Sequence, residues 1–392
     1  MSTFLCPVVH MDRWARHPNA ETLGIGHVFG QCVIFRIADF LQIMSPEKDP
    51  GIDGIRIGEV VYQKGTFNAI FIPEESLLPE DPRWEFMWEK RVQEGKPIRE
   101  IDRVVKAKKL RGIFSCGMLI PVLSGPVFVP SGDSDVDLNW VEKKDPYPVG
   151  YDMAGLLRIT KYEQPEKVGT DGDNESAPKW MRRYTDIENA LGPLVAATED
   201  SPTRFDVLRD KTVVMTEKLH GSNARLSWRD GRFWVGSHNN MKTLDSANIW
   251  TSAARRQGLD KICEKYPGFL LFGEVVGPVQ KGYDYGLKHP TFVLFDIVDV
   301  FQETTPWLSW DHVQRFAAET GVPIVPELYR GPWISLEHAL RLADGPTVFG
   351  KGKHGREGCV VKADPEEWDE YLGRVILKVI GSSYLLSKYG KA

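Results

Sequence analysis

The sequence predicts an α+β protein of two domains: an all-β N-terminal part, then a part in which strands alternate with a few helices. Three observations carry this. Before residue 162, many short apolar runs are separated by turn residues; from 163 to 182 the chain is acidic, turn-rich and aperiodic; beyond 183, longer apolar runs alternate with helix-length segments.

Composition sets the outer bounds. A chain of 392 residues has room for about two domains with cores of their own. Apolar residues make up 42% and charged residues 26%, as in a soluble globular protein, and no apolar run reaches the length of a membrane span. The first residues lack the basic and long apolar regions of a signal peptide. Five scattered cysteines, with no Cys-x-x-Cys pair, argue against a zinc site and a disulfide framework, and point to a reducing, cytoplasmic setting. A net charge of −5 leaves no global attraction to nucleic acid, so a polyanionic partner would have to meet a local basic patch.

In the first domain, 1–162, Gln31–Arg36, Glu59–Gln63 and Asn68–Pro73 read as strands of a β-barrel or sandwich, and His17-Pro18-Asn19-Ala20 as a turn ahead of the first strands. A basic run follows: Lys90, Arg91, Lys96, Arg99, Arg103, Lys106, Lys108, Lys109 and Arg111. It is either a solvated face or a groove that tracks a phosphate backbone. Ile113 to Val122 is another apolar run. Residues 163–182 read as a flexible acidic linker, and Thr185–Ala190 as a short helix.

In the second domain, 183–392, Thr212–Thr216 reads as a buried strand that ends in Glu217-Lys218-Leu219-His220-Gly221-Ser222-Asn223. Arg229-Asp230-Gly231 is a hairpin turn, and Ile249–Gly258 and Trp310–Thr320 read as helices. Phe269–Val276 and Thr291–Val298 are apolar runs interrupted by one acid each, Glu274 and Asp296. A lone buried carboxylate costs several kcal/mol, so each needs a lysine, a metal or a ligand hydroxyl. Strand alternation sets Glu357, Cys359 and Val361 on one face and Gly358, Val360 and Lys362 on the other. Lys362 and Lys378, both inside apolar runs, are odd for a core and natural for a pocket holding phosphate oxygens. A strand-end lysine, acids on apolar strands and two further strand lysines describe a nucleotide pocket with an amine nucleophile.

Taken in order, these segments resemble the covalent nucleotidyltransferases, in particular ATP-dependent RNA ligases. The signatures are Glu217–Asn223, Gly236-Ser-His-Asn239, Phe272-Gly-Glu-Val-Val-Gly277 with Gln280-Lys-Gly-Tyr-Asp-Tyr-Gly286, Phe295-Asp-Ile297, Glu357-Gly-Cys-Val-Val-Lys362 and Arg374–Ile380. His17–Ala20, Phe71–Ser76, Lys109–Gly112 and Gly155–Lys161 resemble the OB-fold that precedes the transferase in one RNA ligase family. The resemblance implies an N-terminal OB-type β-barrel and a C-terminal nucleotidyltransferase domain, ATP-grasp-like, of antiparallel sheets with flanking helices. Lys218 would be the nucleophile that takes AMP from ATP, with Lys362 and Lys378 neutralising phosphate charge. Glu217, Glu274 (ribose) and Phe295 (adenine) would complete the nucleotide site. Glu357, Glu274 and His220 would hold Mg2+ or Mn2+. Asn223, His238 and the basic residues Lys106, Lys108, Lys109 and Arg111 would meet RNA. The implied substrate is a nicked duplex RNA or RNA/DNA hybrid with RNA on the 3′-hydroxyl side, sealed by a monomer acting in RNA repair. The alternatives are a GTP-dependent capping-type guanylyltransferase and a catalytically dead RNA-binding protein. The last signature departs from the family pattern: Ile376 and Ile380 flank Lys378 where a second lysine often stands.

Overall fold

Alternating apolar residues along Val8–His17, Ala20–Val28 and Gln31–Arg36 build an antiparallel meander, and the computed structural model places it at the start of the first of two units. The structure describes residues 4–40, 55–57, 60–122, 126–130, 138–142, 147–162, 173–194, 203–302 and 306–389. The first unit comprises Met1–Pro165, Leu191–Arg204 and Leu385–Ala392; the second comprises Glu166–Ala190 and Phe205–Tyr384.

In the first unit, the sheet order is Gln31–Arg36, Ala20–Val28, Val8–His17, Val60–Ile72, Ile55–Ile57, with Met118–Pro121 also paired to Val60–Ile72. The two expected strands Glu59–Gln63 and Asn68–Pro73 are therefore one strand, Val60–Ile72, long enough to serve three neighbours. Its end is buried on both faces. Ala69 and Phe71 join a cluster with Phe35 and Phe40, whereas Ile70 and Ile72 join Trp84 and Trp88. Side chains alternate across a strand, so one strand can serve two cores. The His17–Ala20 turn lies between the first two strands rather than ahead of them, with His17 and Ala20 opposite each other. The run Ile113–Val122 breaks at Cys116-Gly117 into Ile113–Ser115 and Met118–Pro121.

The second unit holds two sheets. One runs Asn174–Glu175, Met241–Lys242, Arg232–Gly236, Ser222–Arg229, Phe269–Val276, Thr291–Asp299; the other runs Glu188–Asn189, Ile376–Ile380, Gly358–Ala363, Thr212–Lys218, Glu327–Pro332. Helices Ile249–Gln257, Leu259–Lys265 and Trp310–Thr320 pack on a core that includes Leu226, Leu271 and Val293, and Leu336–Ala343 packs on Cys359, Val361 and Leu377. The hairpin turns on Asp230 and Gly231, both at positive φ (55° and 71°), as the tight primed turn requires.

Two expectations fail near the start of this unit. Residues 163–172 lie outside the described residues, but 173–182 is not a free linker: Asn174–Glu175 pairs with Met241–Lys242, and Met181 is buried. Thr185–Ala190 forms no helix; Glu188–Asn189 instead pairs parallel with Ile376–Ile380. A six-residue helix is marginal alone, and an open strand edge offers its backbone better partners.

Candidate active site

Thr212–Lys218 belongs to one sheet and Ser222–Arg229 to the other, so Leu219-His220-Gly221 carries the chain between them. Lys218 stands at that seam. A Cβ on Gly221 would come within 2.2 Å of the Val275 carbonyl oxygen, which explains the glycine three residues after the lysine. The irregular turn finds its hydrogen bonds elsewhere. The His220 N–H donates to the Tyr285 hydroxyl (2.6 Å), the Gly221 N–H to Glu274 Oε1 (3.0 Å), and Gln280 Nε2 to the Gly221 carbonyl (2.9 Å). The Gln280–Gly286 segment thus clasps the turn. Its role in positioning was not legible from pattern alone.

Lys218 Nζ lies 2.7 Å from Glu357 Oε1, and His220 Nδ1 lies 3.3 Å from Glu357 Oε2. Burial would raise the Glu357 carboxyl, but Lys218 and His220 outweigh it and hold it at about 2. Glu274 goes the other way. Burial pushes it up to about 8, Lys218 opposes the rise only in part, and Glu357 adds to it. Near neutral pH one carboxylate is charged and the other mostly protonated, a division set by environment.

The linkage gives a test. Between its ordinary 4.5 and about 8, folded Glu274 keeps a proton that the unfolded chain releases, so its contribution to stability falls as pH rises. Glu357 contributes in the opposite sense: its share is present above 4.5 and is lost as pH falls toward 2. From pH 5 to 8 the denaturation midpoint of Glu274→Gln is expected to fall less than that of the wild type. Parallel profiles would refute the raised carboxyl.

Beside Lys218 opens a cavity of about 320 Å³, lined among others by Tyr184, Asn223, His238, Glu274, Phe295, Lys362 and Lys378. Phe295 reaches it through a bulge. Phe272 pairs with Asp296 but Gly273 with Leu294, so Phe295 is the extra residue, and it and Asp296 both line the cavity despite being neighbours. Tyr184 meets the Phe295 ring edge-on at 4.8 Å. The Asn223 side-chain oxygen is buried without a hydrogen-bond partner, and His238 lies 4.0 Å from Asp186.

Beneath the cavity lies a charge network that the sequence did not reveal. Asp296 receives Lys362 Nζ at 3.2 Å, Arg374 at 2.7 Å and the Tyr184 hydroxyl at 2.9 Å. Arg374 also pairs with Glu366 and lies 3.7 Å from the centre of the Trp307 ring. Asp296 thus has the partners its burial demands, while Lys362 is held against a fixed carboxylate. Lys378 sits opposite Val360 on the neighbouring strand.

Some expected groupings are altered. Cys359 and Val361 do share a core face, and Val360 and Lys362 face the cavity. Glu357, however, precedes the strand and turns to Lys218 instead of joining Cys359. The Glu217 side chain is fully buried and takes hydrogen bonds from Thr347 Oγ1 (2.5 Å) and the Val348 N–H (2.9 Å), so only its main chain is left to line the cavity. Period-two alternation against Lys218 was the signal for this. Glu357, Glu274 and His220 do not converge as a three-ligand set, and among the described residues no three His, Cys, Asp or Glu do.

The basic run belongs to the first unit. Arg91 and Arg99 both pair with Asp102, and Lys96 pairs with Glu94, each at 2.8 Å, which neutralises part of it. Lys106 is half-buried, and burial lowers its pKa. Lys108, Lys109 and Arg111 are exposed on the hairpin formed by Lys108–Leu110 and Ile113–Ser115. Buried His17 holds that hairpin: its Nδ1 accepts from the Asn19 N–H (3.0 Å), so Nε2 carries the proton and donates to the Leu110 carbonyl (3.1 Å).

Residues 211–380 match the family model described as RNA ligase. No curated protein matches the chain. Among solved structures, Naegleria gruberi RNA ligase with PPi is 20% identical with a TM-score of 0.68 over 100% of both chains. Mutants of the same protein bound to ATP and Mn, or to AMP and Mn, are also 20% identical, with TM-scores of 0.69 and 0.68 over 99% of this chain and 100% of theirs.

Proposed function

We propose that this chain, whose residues 211–380 match the RNA ligase family model, seals RNA 3′-hydroxyl and 5′-phosphate ends through a lysyl-adenylate on Lys218. The observation that carries the reading is the Lys218–Glu357 pair at the seam of two sheets, beside a cavity that offers an aromatic ring and two further lysines. Phe295 would stack on adenine, Glu274 would meet the ribose hydroxyls, and Lys362 and Lys378 would neutralise the phosphates.

Lysine attacks only as the neutral amine. Its proton therefore has to leave to solvent before the attack, against the pull of Glu357, which pairs with the ammonium. The amine then forms a P–N bond at the α-phosphate of ATP as the bond to the β-phosphate oxygen breaks, releasing pyrophosphate. The RNA 5′-phosphate next displaces the lysine and takes the AMP. A 3′-hydroxyl finally attacks that 5′-phosphate, forming the phosphodiester and releasing AMP. In-line displacement of this kind asks the protein mainly for positioning and charge neutralisation.

A divalent ion fits the donors present. Two carboxylates, Glu357 and Glu274, flank a single ammonium, and the charge on Glu357 helps keep Glu274 protonated, so a hard cation would relieve their repulsion. Mg2+ or Mn2+ would supply charge neutralisation at the phosphates, with the carboxylates Glu357 and Glu274 as candidate holders. The first unit, as an OB-type module with its exposed Lys108, Lys109 and Arg111, would grip the duplex around a nick, with RNA on the 3′-hydroxyl side.

Incubation with α-labelled ATP or GTP, followed by a denaturing gel and then by nicked-duplex and single-stranded substrates, tests the reading. Label from ATP alone and sealing of the nick are expected. Label from GTP would move the protein to the capping class, and no label from either would leave an RNA-binding protein.

A further inference from the structure

Glu217, next to the nucleophile, spends its carboxylate on a loop 130 residues away, through Thr347 and Val348. That loop, Gly345-Pro-Thr-Val-Phe-Gly-Lys-Gly-Lys-His-Gly355, runs through Arg356 directly into Glu357, the partner of Lys218. It is closed at its base, where the Thr347 N–H donates to the His354 carbonyl (3.1 Å) and the Arg356 N–H to the Gly345 carbonyl (2.8 Å). Midway, the Lys351 N–H donates to the Tyr285 carbonyl (2.9 Å), the tyrosine whose hydroxyl meets the nucleophile turn. Gly350, at φ 63°, could not carry a Cβ, which would come 2.4 Å from the Tyr285 carbonyl oxygen. The loop is therefore built, and it is tied twice to the catalytic turn.

Its charges are spent differently from those of the earlier basic run. Lys351 and Lys353 are exposed, and neither has a carboxylate in ion-pair range among the described residues, unlike Arg91, Arg99 and Lys96. His354 Nε2, in the same loop, is buried without a hydrogen-bond partner, and Arg356, just past the loop, has its Nε 3.9 Å from Glu217 Oε2. Val348 beside them is 53% exposed. Lys353 is four residues from Glu357, so its Cα lies within about 14 Å of Glu357 even if the chain is extended.

We infer that the glycine-rich loop 345–355 is an RNA-phosphate clamp in which Lys351 and Lys353 grip the strand backbone within a few nucleotides of the sealed junction. The inference rests on the ligase reading and deepens it. A free nucleotide has only its own three phosphates to offer, and Lys362 and Lys378 already face the cavity that would hold them. Two exposed lysines on a fixed loop suit a backbone that continues past the site. Glu217 is then a positioning residue that sets the loop against Lys218.

The test compares the wild type with Lys351→Ala/Lys353→Ala in the full chain. Nicked-duplex binding is titrated against salt, and sealing is followed against RNA concentration. Each lost phosphate contact removes about 0.7–0.9 from the slope of log K against log salt. From about 50 to about 200 mM salt the wild type should therefore lose about tenfold more affinity than the variant. The variant's KM for RNA should rise, and Lys351→Arg/Lys353→Arg should restore both readouts. Formation of label from ATP, which needs no RNA, is the internal reference. Equal slopes and equal KM would overturn the clamp. A raised ATP requirement with unchanged RNA binding would assign the loop to the nucleotide instead. Absence of label in the wild type would sink the ligase reading alone, because the salt slope reads the loop without any chemistry.

Discussion

Lys218→Ala is expected to retain no nucleotide label on a denaturing gel, and Lys218→Arg is expected to behave the same way. The two variants fail for separable reasons. Alanine removes the proposed nucleophile and leaves Glu357 without the 2.7 Å partner that does most to hold its carboxyl at about 2 despite burial. Some loss of stability should accompany it, because a buried carboxylate left without its cation is costly. Arginine keeps the positive charge and can pair with Glu357, but it stays protonated at any accessible pH and has no free amine to attack phosphorus. A folded Lys218→Arg protein without label would locate the chemistry in the amine. Label retained by either variant at the wild-type level would mean that another residue carries the nucleotide.

Asp296→Ala should cost about 3–5 kcal/mol of folding stability, the range for removing one partner of a buried ion pair. The carboxylate is fully buried, and its loss would strand Lys362 and Arg374, both themselves buried, with Glu366 left to serve two cations. Burial alone would raise the Asp296 carboxyl, yet Arg374 and Lys362 hold it below the usual carboxylate range. Its stabilising share should therefore be lost as pH falls through that depressed value. Asp296→Asn keeps a hydrogen-bond acceptor for Tyr184 but no charge, and should fall between wild type and alanine. Urea denaturation of the three proteins measures the order. A loss below 1 kcal/mol for alanine would show that the network is not a structural keystone.

Much of the second unit was legible because its signals are local. Alternation and turn chemistry located Phe269–Val276 and Trp310–Thr320 at their observed bounds and Gln31–Arg36 in the other unit. The odd placement of Lys362, Lys378, Glu274 and Asp296 in apolar runs marked a pocket, and all four line one cavity with Lys218. The misreadings share a cause. Thr185–Ala190 looked like a helix because its neighbour in the sheet, Ile376–Ile380, is almost two hundred residues away. The basic stretch up to Arg111 drew attention by its length, although Asp102 and Glu94 answer part of it, while the shorter Lys351-Gly-Lys353 went unread.

The sequence by itself determined which residue types stand at which strand positions, and hence a lysine ahead of a glycine turn, acids needing partners and two further lysines inside apolar runs. Only the tertiary structure decided who the partners are: Glu357 for Lys218, Arg374 and Lys362 for Asp296, and the 345–355 loop for Glu217. It also decided the bulge that lets Phe295 and Asp296 line the same cavity. The physical reason is range. Side-chain direction along a strand follows from the period of the backbone, which any short window contains. The pairing of charges across 60 to 140 residues depends on how two sheets close on each other, and no window of sequence records that.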